Sequence, residues 1–272
     1  MALPHSLQRT LIVAPHPDDD VIAAGGLMQR AIAGGGELRV LFITDGDNNP
    51  WPQRFMQRKW FLSAADRSSW GSTRRQEALC SLALFGIAPE CATFLALPDS
   101  GMARMARRGV AEVSEAIRSV IADFQPTLVV SPSSFDLHAD HRAVSFFVHN
   151  AAPESAIVTY VVHGKGPAGR MALRIALSDR ERQRKREAIE CHRSQLALSR
   201  RRFLAYARTG ESFYRAEFDV ARPSSLLQEK LTEVHYGFRV LFGLDPAPEE
   251  TAVVALGDEV AIEPPVRSTR IR

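Results

Sequence analysis

Two stretches of the 272-residue sequence crowd histidine and aspartate together: Pro15-His16-Pro17-Asp18-Asp19-Asp20 and Asp136-Leu137-His138-Ala139-Asp140-His141. Adjacent carboxylates repel one another unless a cation or bound protons offset their charge. Acidic residues ahead of a helix can also cap its free N–H groups, but that accounts for one or two aspartates and not for His16. Neither stretch contains cysteine, so a metal held between them has imidazole and carboxylate ligands. Two histidines and a carboxylate with open positions suit a catalytic zinc. The same set describes a non-haem Fe(II) oxygenase. In a hydrolytic site the zinc ion lowers the pKa of its bound water to about 7, and a carboxylate that is not a ligand can take up the remaining proton.

The two clusters can meet only if the fold brings them to one edge. Thr10–Ala14 is a short apolar run of branched side chains stopped by Pro15, which reads as a buried strand. The three aspartates then precede a helical pattern (Val21, Ile22, Leu27, Met28, Ile32) closed by Gly34-Gly35-Gly36. Leu38–Thr44 is a second buried strand, so the chain opens as a βαβ unit with parallel strands. A further strand is predicted at Thr127–Val130, directly ahead of the second cluster. Both clusters therefore lie at the carboxyl ends of parallel strands, where open α/β sheets bind their ligands. The all-β frame typical of Fe(II) oxygenases does not fit this opening, and zinc hydrolysis is the better reading.

The alternation continues, with helices expected from Ser72 or Thr73 to Phe85, over Val110–Phe124 and His141–Asn150, and from Ser178 and Asp179 to Cys191. Strands are expected at Cys91–Leu97, Ile157–Val162 and Met171–Leu177. Asp45 to Gly71 lacks a strong period and reads as a long binding loop or lid; it holds Trp51, Trp60 and Trp70, which either stack on a ligand or anchor the loop. One α/β domain over residues 1–222 is expected, with residues 223–272 as an extension packed on it and ending in a loose tail.

Composition narrows the class. With 34 Lys and Arg against 31 Asp and Glu the net charge is +3, and 45% of residues are hydrophobic, ordinary values for a soluble globular chain. Cys80, Cys91 and Cys191 form neither a disulfide framework nor a cysteine-rich zinc module. No run of 18 apolar residues occurs, and Met1–Thr10 lacks the apolar core of a signal peptide, so the expected location is the cytoplasm. The basic run Arg180–Arg186 reads as a solvated helix face rather than a nucleic-acid contact. It is the only hint of peripheral membrane contact.

His16-Pro17-Asp18-Asp19-Asp20 matches the Ala-His-Pro-Asp-Asp-Glu/Asp motif of the PIG-L/LmbE-like N-deacetylases, with Pro15 in place of alanine, and His138-Ala139-Asp140-His141 matches their His-x-Asp-His. Arg74-Arg75-Gln76-Glu77, Leu97-Pro98-Asp99-Ser100-Gly101, Arg193-Ser194-Gln195 and Glu211-Ser212-Phe213 extend the similarity; nothing after Pro223 does. The sequence thus resembles a family of zinc-dependent enzymes that remove acetyl from N-acetylglucosamine-type amides on a Rossmann-like, mostly parallel sheet flanked by helices. The resemblance implies His16, Asp19 and His141 as zinc ligands (another divalent ion such as Fe²⁺ being the alternative), Asp18 as general base, and His138 facing the developing oxyanion with its ring held by Asp140. It also implies an amino-sugar substrate, free or in a glycoconjugate, and is compatible with a homo-oligomer.

Other residues carry two readings each. Arg74 faces the substrate or clamps Asp99 near the sugar pocket, or else pairs with Glu77 on a helix surface. Asp47 and Asn48 bind sugar hydroxyls, or simply make a turn. His163 ends a predicted strand within reach of the site, whereas His138 is either catalytic or a histidine that orients its neighbours. His149, His192 and His235 are expected to have no functional role. The rivals to a deacetylase are a zinc amidase acting on a larger acyl group or a thiol-sugar conjugate, and a non-catalytic sugar binder. A dinucleotide enzyme is disfavoured because no Gly-x-Gly-x-x-Gly follows the first strand.

Overall fold

A computed structural model describes residues 7–208 and 210–216 of the chain. The expected extension over residues 223–272, and His235 within it, lie outside the described residues. The strands are β1 (Arg9–Ala14), β2 (Glu37–Thr44), β3 (Ala92–Leu97), β4 (Leu128–Pro132), β5 (Ile157–Tyr160), β6 (Met171–Ile175) and β7 (Glu211–Arg215). They form a seven-stranded sheet in the order β3-β2-β1-β4-β5-β7-β6. β1 to β5 run parallel, and β7 joins β5 and β6 antiparallel.

Period-two alternation sends successive side chains of the central strands to opposite faces. Ile12 and Ala14 of β1 pack with Leu27 and Met28 of α1 (Asp19–Ala33) and with Leu82 of α3 (Ala64–Leu84). Leu11 and Val13 face the other way, onto Ile117 of α5 (Ala111–Phe124) and Phe147 of α6 (Ala139–Ala151). A strand buried on both faces must read as a continuous apolar run, as β1 does. The chain leaves β1 towards β2 on one side and meets β4 on the other. The switch in strand order thus falls between the strands that precede the two His/Asp clusters.

Several elements depart from the sequence expectation. The segment from Asp45 to Gly71 is not a loop: it folds as α2 (Pro50–Gln57) and the first turns of α3. The helix start at Ser63 is a capping box, with Ser63 Oγ accepting from Asp66 N at 3.1 Å and Asp66 Oδ2 accepting from Ser63 N at 2.9 Å. The tryptophans divide: Trp70 is buried in the helix packing, while Trp51 and Trp60 are exposed. Helix α6 begins before His141, because His138 takes the N-cap position and its Nδ1 accepts from Asp140 N at 3.2 Å. Helices α4 (Met102–Arg107) and α8 (Arg193–Ala205) were not foreseen. Among the described residues no helix is long and apolar enough to cross a membrane.

Helix α1 carries the first cluster and is broken at Ala24 (φ −133°, ψ 16°). A buried ion pair fills the break. Lys185 of α7 (Asp179–Glu190) donates to Ile22 O at 2.8 Å and to Glu211 Oε1 at 2.7 Å. Glu211 accepts from Gly26 N at 2.6 Å and Leu27 N at 2.9 Å, so the pair replaces the helical bonds that the break removes. Gly25 and Gly26 leave room for it: a Cβ on Gly25 would meet the Lys185 stem at 3.1 Å, and one on Gly26 would clash with Leu177. The basic run Arg180–Arg186 is therefore not wholly solvated, since Lys185 turns inward.

Asp18 stands at the N-cap of α1, yet its side chain caps nothing. Asp20, fully buried, has carboxylate oxygens without a hydrogen-bond partner; burial, with Asp18 and Asp19 nearby, pushes its pKa up to about 8.

Two outcomes follow. Lys185→Met should cost about 3–5 kcal/mol in urea unfolding, because Glu211 is left buried and uncompensated. Lys185→Met with Glu211→Gln should cost less than the sum of the single changes by more than about 1 kcal/mol. Asp20, with its folded pKa raised to about 8 from about 4 in the unfolded chain, binds more protons folded than unfolded between those values. Its contribution therefore declines as pH rises through that window. In pH-dependent unfolding, Asp20→Asn should gain stability relative to wild type between pH 4 and 8; parallel curves would sink this assignment.

Candidate metal centre and active site

β1 delivers the chain into a tight turn. Pro15 O accepts from Thr44 N at 3.0 Å and from Thr44 Oγ1 at 2.9 Å, which ties the turn to the end of β2. His16 O then accepts from Asp18 N at 3.0 Å, and His16 N donates to Asp19 Oδ2 at 3.0 Å. This folds the His16 ring back over the start of α1, with Nδ1 3.0 Å from Asp19 Oδ2. From the neighbouring strand's side, the first turn of α6 places His141 Nε2 3.1 Å from the same oxygen. Ligand atoms of His16, Asp19 and His141 lie within 4.8 Å of one another. His141 Nε2 is fully buried and makes no hydrogen bond, so it is free to coordinate. Two imidazoles and a carboxylate in this arrangement fit a divalent ion with open positions.

Each histidine is backed by a carboxylate on its other nitrogen, as metal-ligating histidines usually are. His141 Nδ1 lies 3.1 Å from Asp136 Oδ2, and His16 Nε2 lies 3.3 Å from Asp99 Oδ1. These carboxylates also tie down the surrounding loops. Asp136 accepts from His138 N (2.9 Å), Val162 N (2.8 Å) and His163 N (3.1 Å), and Asp99 accepts from Asn48 N at 2.8 Å. Asp136 lies within the second motif, and its spacing to His138 and His141 was the available signal for its role. Asp99, expected in the sugar pocket, reaches the cavity wall but has His16 as its nearest ionic partner.

The charges are tightly interlocked. Burial disfavours ionised Asp19, but His141 and His16 outweigh it and hold its carboxyl well below the usual range. Burial likewise opposes protonation of His141, yet Asp136 and Asp19 lift its pKa to about 10. Asp18 moves the other way: burial raises its pKa despite Arg74, whose Nη2 lies 3.1 Å from Asp18 Oδ2.

Of the three readings for Arg74, it neither clamps Asp99 nor makes a surface pair with Glu77, but it does line the cavity. It is buried against Asp18 and donates to Gly46 O at 2.9 Å, whereas Glu77 accepts from Ser194 N at 2.8 Å. A second correction concerns Asp140. Its carboxylate accepts from Ser100 N (2.7 Å) and Met102 N (3.1 Å) and does not hold the His138 ring; its backbone N–H does. Burial, together with His16 and His141, lowers the His138 pKa to about 4.

A cavity of about 510 Å³ opens over His16, Asp18 and Asp19, with His138 and His163 on its rim. The His163 ring lies 4.9 Å from that of His141, so it does reach the site. Asn48 and Asn49 line the cavity, but Asp47 is not among its described lining residues; the turn sets its Cβ against Gly71 of α3 instead. The far wall is Trp51 from α2 and Leu198 and Phe203 from α8, with Tyr206 just beyond. His149 is engaged by Ser145 O at 2.6 Å, and His192 is buried outside the cavity lining.

At 28% identity over 148 residues the chain is similar to a 1D-myo-inositol 2-acetamido-2-deoxy-alpha-D-glucopyranoside deacetylase of Mycobacterium sp. (strain KMS), covering 49% of this chain and 46% of that one. A Rhodococcus erythropolis protein of the same description is 30% identical over 176 residues, 59% of this chain and 58% of its own. The chain thus spans about half the length of the curated relatives it matches. The solved N,N'-diacetylchitobiose deacetylase from Pyrococcus horikoshii shares the fold, with a TM-score of 0.59 at 21% identity over 81% of this chain and 88% of that one. The family model described as "PIG-L: GlcNAc-PI de-N-acetylase" matches residues 11–152, more than half of the sequence and the whole span from β1 through α6 that holds both His/Asp clusters. The chain belongs to the PIG-L family.

Proposed function

We propose that this protein is a zinc-dependent hydrolase that removes the acetyl group from an N-acetylated amino sugar carried on a larger conjugate. The observation that carries the reading is the buried carboxylate of Asp18 beside three converging donor atoms on the floor of an open cavity. His16, Asp19 and His141 would hold the metal, which when bound supplies a water acidic enough to attack at neutral pH and polarises the amide carbonyl.

The remaining steps fall to this chain's own side chains. Asp18, its pKa raised by burial, is suited to take a proton from the attacking water and pass it to the departing amine nitrogen. Arg74 fixes that carboxylate from behind and keeps it ionisable. His138 accepts at Nδ1 from the Asp140 backbone and, as a neutral ring, carries its proton on Nε2. It therefore offers a hydrogen bond to the oxygen that gains charge, a contribution of roughly 3–4 kcal/mol for such donors. Asp140 acts on the site by holding Ser100 and Met102 in place. His163 and Asn48 border the space for the sugar, whereas Asp47 is a turn residue. Trp51, Leu198 and Phe203 give the cavity an apolar side that suits an aglycone. The same apolar wall favours a second reading, an amidase acting on a larger acyl group.

Acetate release from a panel of N-acetylglucosamine glycosides and lipid or nucleotide conjugates tests the assignment. Asp18→Asn should lower kcat by about 10²–10⁴-fold with zinc content unchanged. With N-acyl analogues of longer chain added to the panel, release of the longer fatty acids but no acetate would replace the first reading by the second. Separately, Asp136→Asn and Asp99→Asn should weaken zinc binding about 10–100-fold in chelator competition, while Asp47→Asn leaves it unaltered. Equal affinities in all three variants would remove the carboxylate backing from the account.

A further inference from the structure

Away from the cavity, Cys80 of α3 and Cys191, which follows the last turn of α7, bring their Sγ atoms to 2.6 Å as free thiols. Bonded sulfurs sit about 2.05 Å apart, so closure asks for a movement of roughly half an ångström. Cys80 is exposed and Cys191 half-buried. Burial and the neighbouring sulfur push the Cys191 thiol up to about 12, which leaves Cys80 to meet an oxidant first.

We propose that Cys80 and Cys191 are a reversible thiol–disulfide pair that staples α3 to the corner between α7 and α8. A low-molecular-weight disulfide is the oxidant. The Cys80 thiolate attacks one of its sulfurs, the S–S bond breaks and one thiolate leaves, giving a mixed disulfide. The Cys191 thiolate then attacks Cys80 Sγ and expels the second thiolate. Two protein thiols lose two electrons and two protons, and one small disulfide becomes two small thiols.

The position of the staple gives it consequences. Helix α3 carries Arg74, which holds Asp18, and Glu77, which accepts from Ser194 N at 2.8 Å at the start of α8. Gln195, next in line, accepts from Asn49 Nδ2 at 3.1 Å across the cavity. A Cys80–Cys191 bond adds a covalent tie to contacts that already join α3 to the cavity's α8 wall, and it closes a long loop, where cross-links constrain the unfolded chain most.

The test uses the full chain, reduced and then incubated with oxidised glutathione. Intact mass should fall by two hydrogens, and peptide mapping should join the Cys80 and Cys191 peptides. The oxidised protein should melt about 5–10 °C higher, and dithiothreitol should reverse both changes. Cys91→Ser should retain the shift, whereas Cys80→Ser and Cys191→Ser should each abolish it. A glutathione adduct that persists on Cys80 without closing, a bridge through Cys91, or an unchanged melting shift in Cys80→Ser would overturn the proposal.

Discussion

Asp19 Oδ2 lies 3.0 Å from a nitrogen of His16 and 3.1 Å from a nitrogen of His141, residues that belong to different strand–helix junctions. Such a meeting depends on β1 and β4 being parallel neighbours in register, with Thr10 opposite Leu128 and Ile12 opposite Val130. Both strands then end at the same edge. Each hands over through a short connection (15–18 after β1, 133–138 after β4) to a helix, with His16 in the first connection and Asp19 and His141 in the first turns of α1 and α6. Had β4 been displaced by one strand, about 4.8 Å, the two imidazoles could not share that oxygen. The continuous apolar character of β1 and β4 is thus a condition of the chemistry as well as of the core.

Packing three consecutive aspartates into a buried helix start requires a separate answer for each charge. Asp18 has the Arg74 guanidinium. Asp19 lies between two histidines. Asp20, with no partner, stays protonated at neutral pH because burial lifts its pKa to about 8. The same logic extends outward, where Asp99 and Asp136 compensate the histidines and take up the N–H groups of loops that would otherwise be buried unpaired. Charge relief and loop positioning are therefore performed by the same atoms.

Much of this was legible in the sequence, for physical reasons that also explain the gaps. A strand buried on both faces writes a short apolar run, and Gly34-Gly35-Gly36 writes its own stop, so the βαβ opening and the shared edge could be read. The clusters announced themselves because uncompensated charge at a strand end is costly. What could not be read was the identity of partners distant in sequence. Arg74 reads as a pocket or surface residue, and it does line the cavity, but its attachment to Asp18 depends on where α3 packs. Lys185 reads as one more base in a solvated run, and only the break at Ala24 in α1, which leaves Ile22 O to accept from it 163 positions away, together with Glu211, gives it a buried place. The α2 region was misread because its helix starts rest on a single capping box and a proline rather than on apolar periodicity.

The chain divides its labour unevenly along its length. Residues 11–152, the span matched by the family model, contain His16, Asp19 and His141 and the carboxylates of Asp99 and Asp136 behind the two imidazoles. The apolar cavity wall formed by Leu198 and Phe203 lies beyond that span, on a helix whose start is fixed by Glu77 from within it. The candidate metal ligands and the apolar wall thus come from different parts of one sheet-based frame. Leu198 and Phe203 line the cavity from α8, while Asp19 and its histidines belong to the β1 and β4 junctions. Function on such a frame is decided by the site rather than by the fold. In this chain the site joins a charge-balanced floor to an apolar wall contributed from elsewhere.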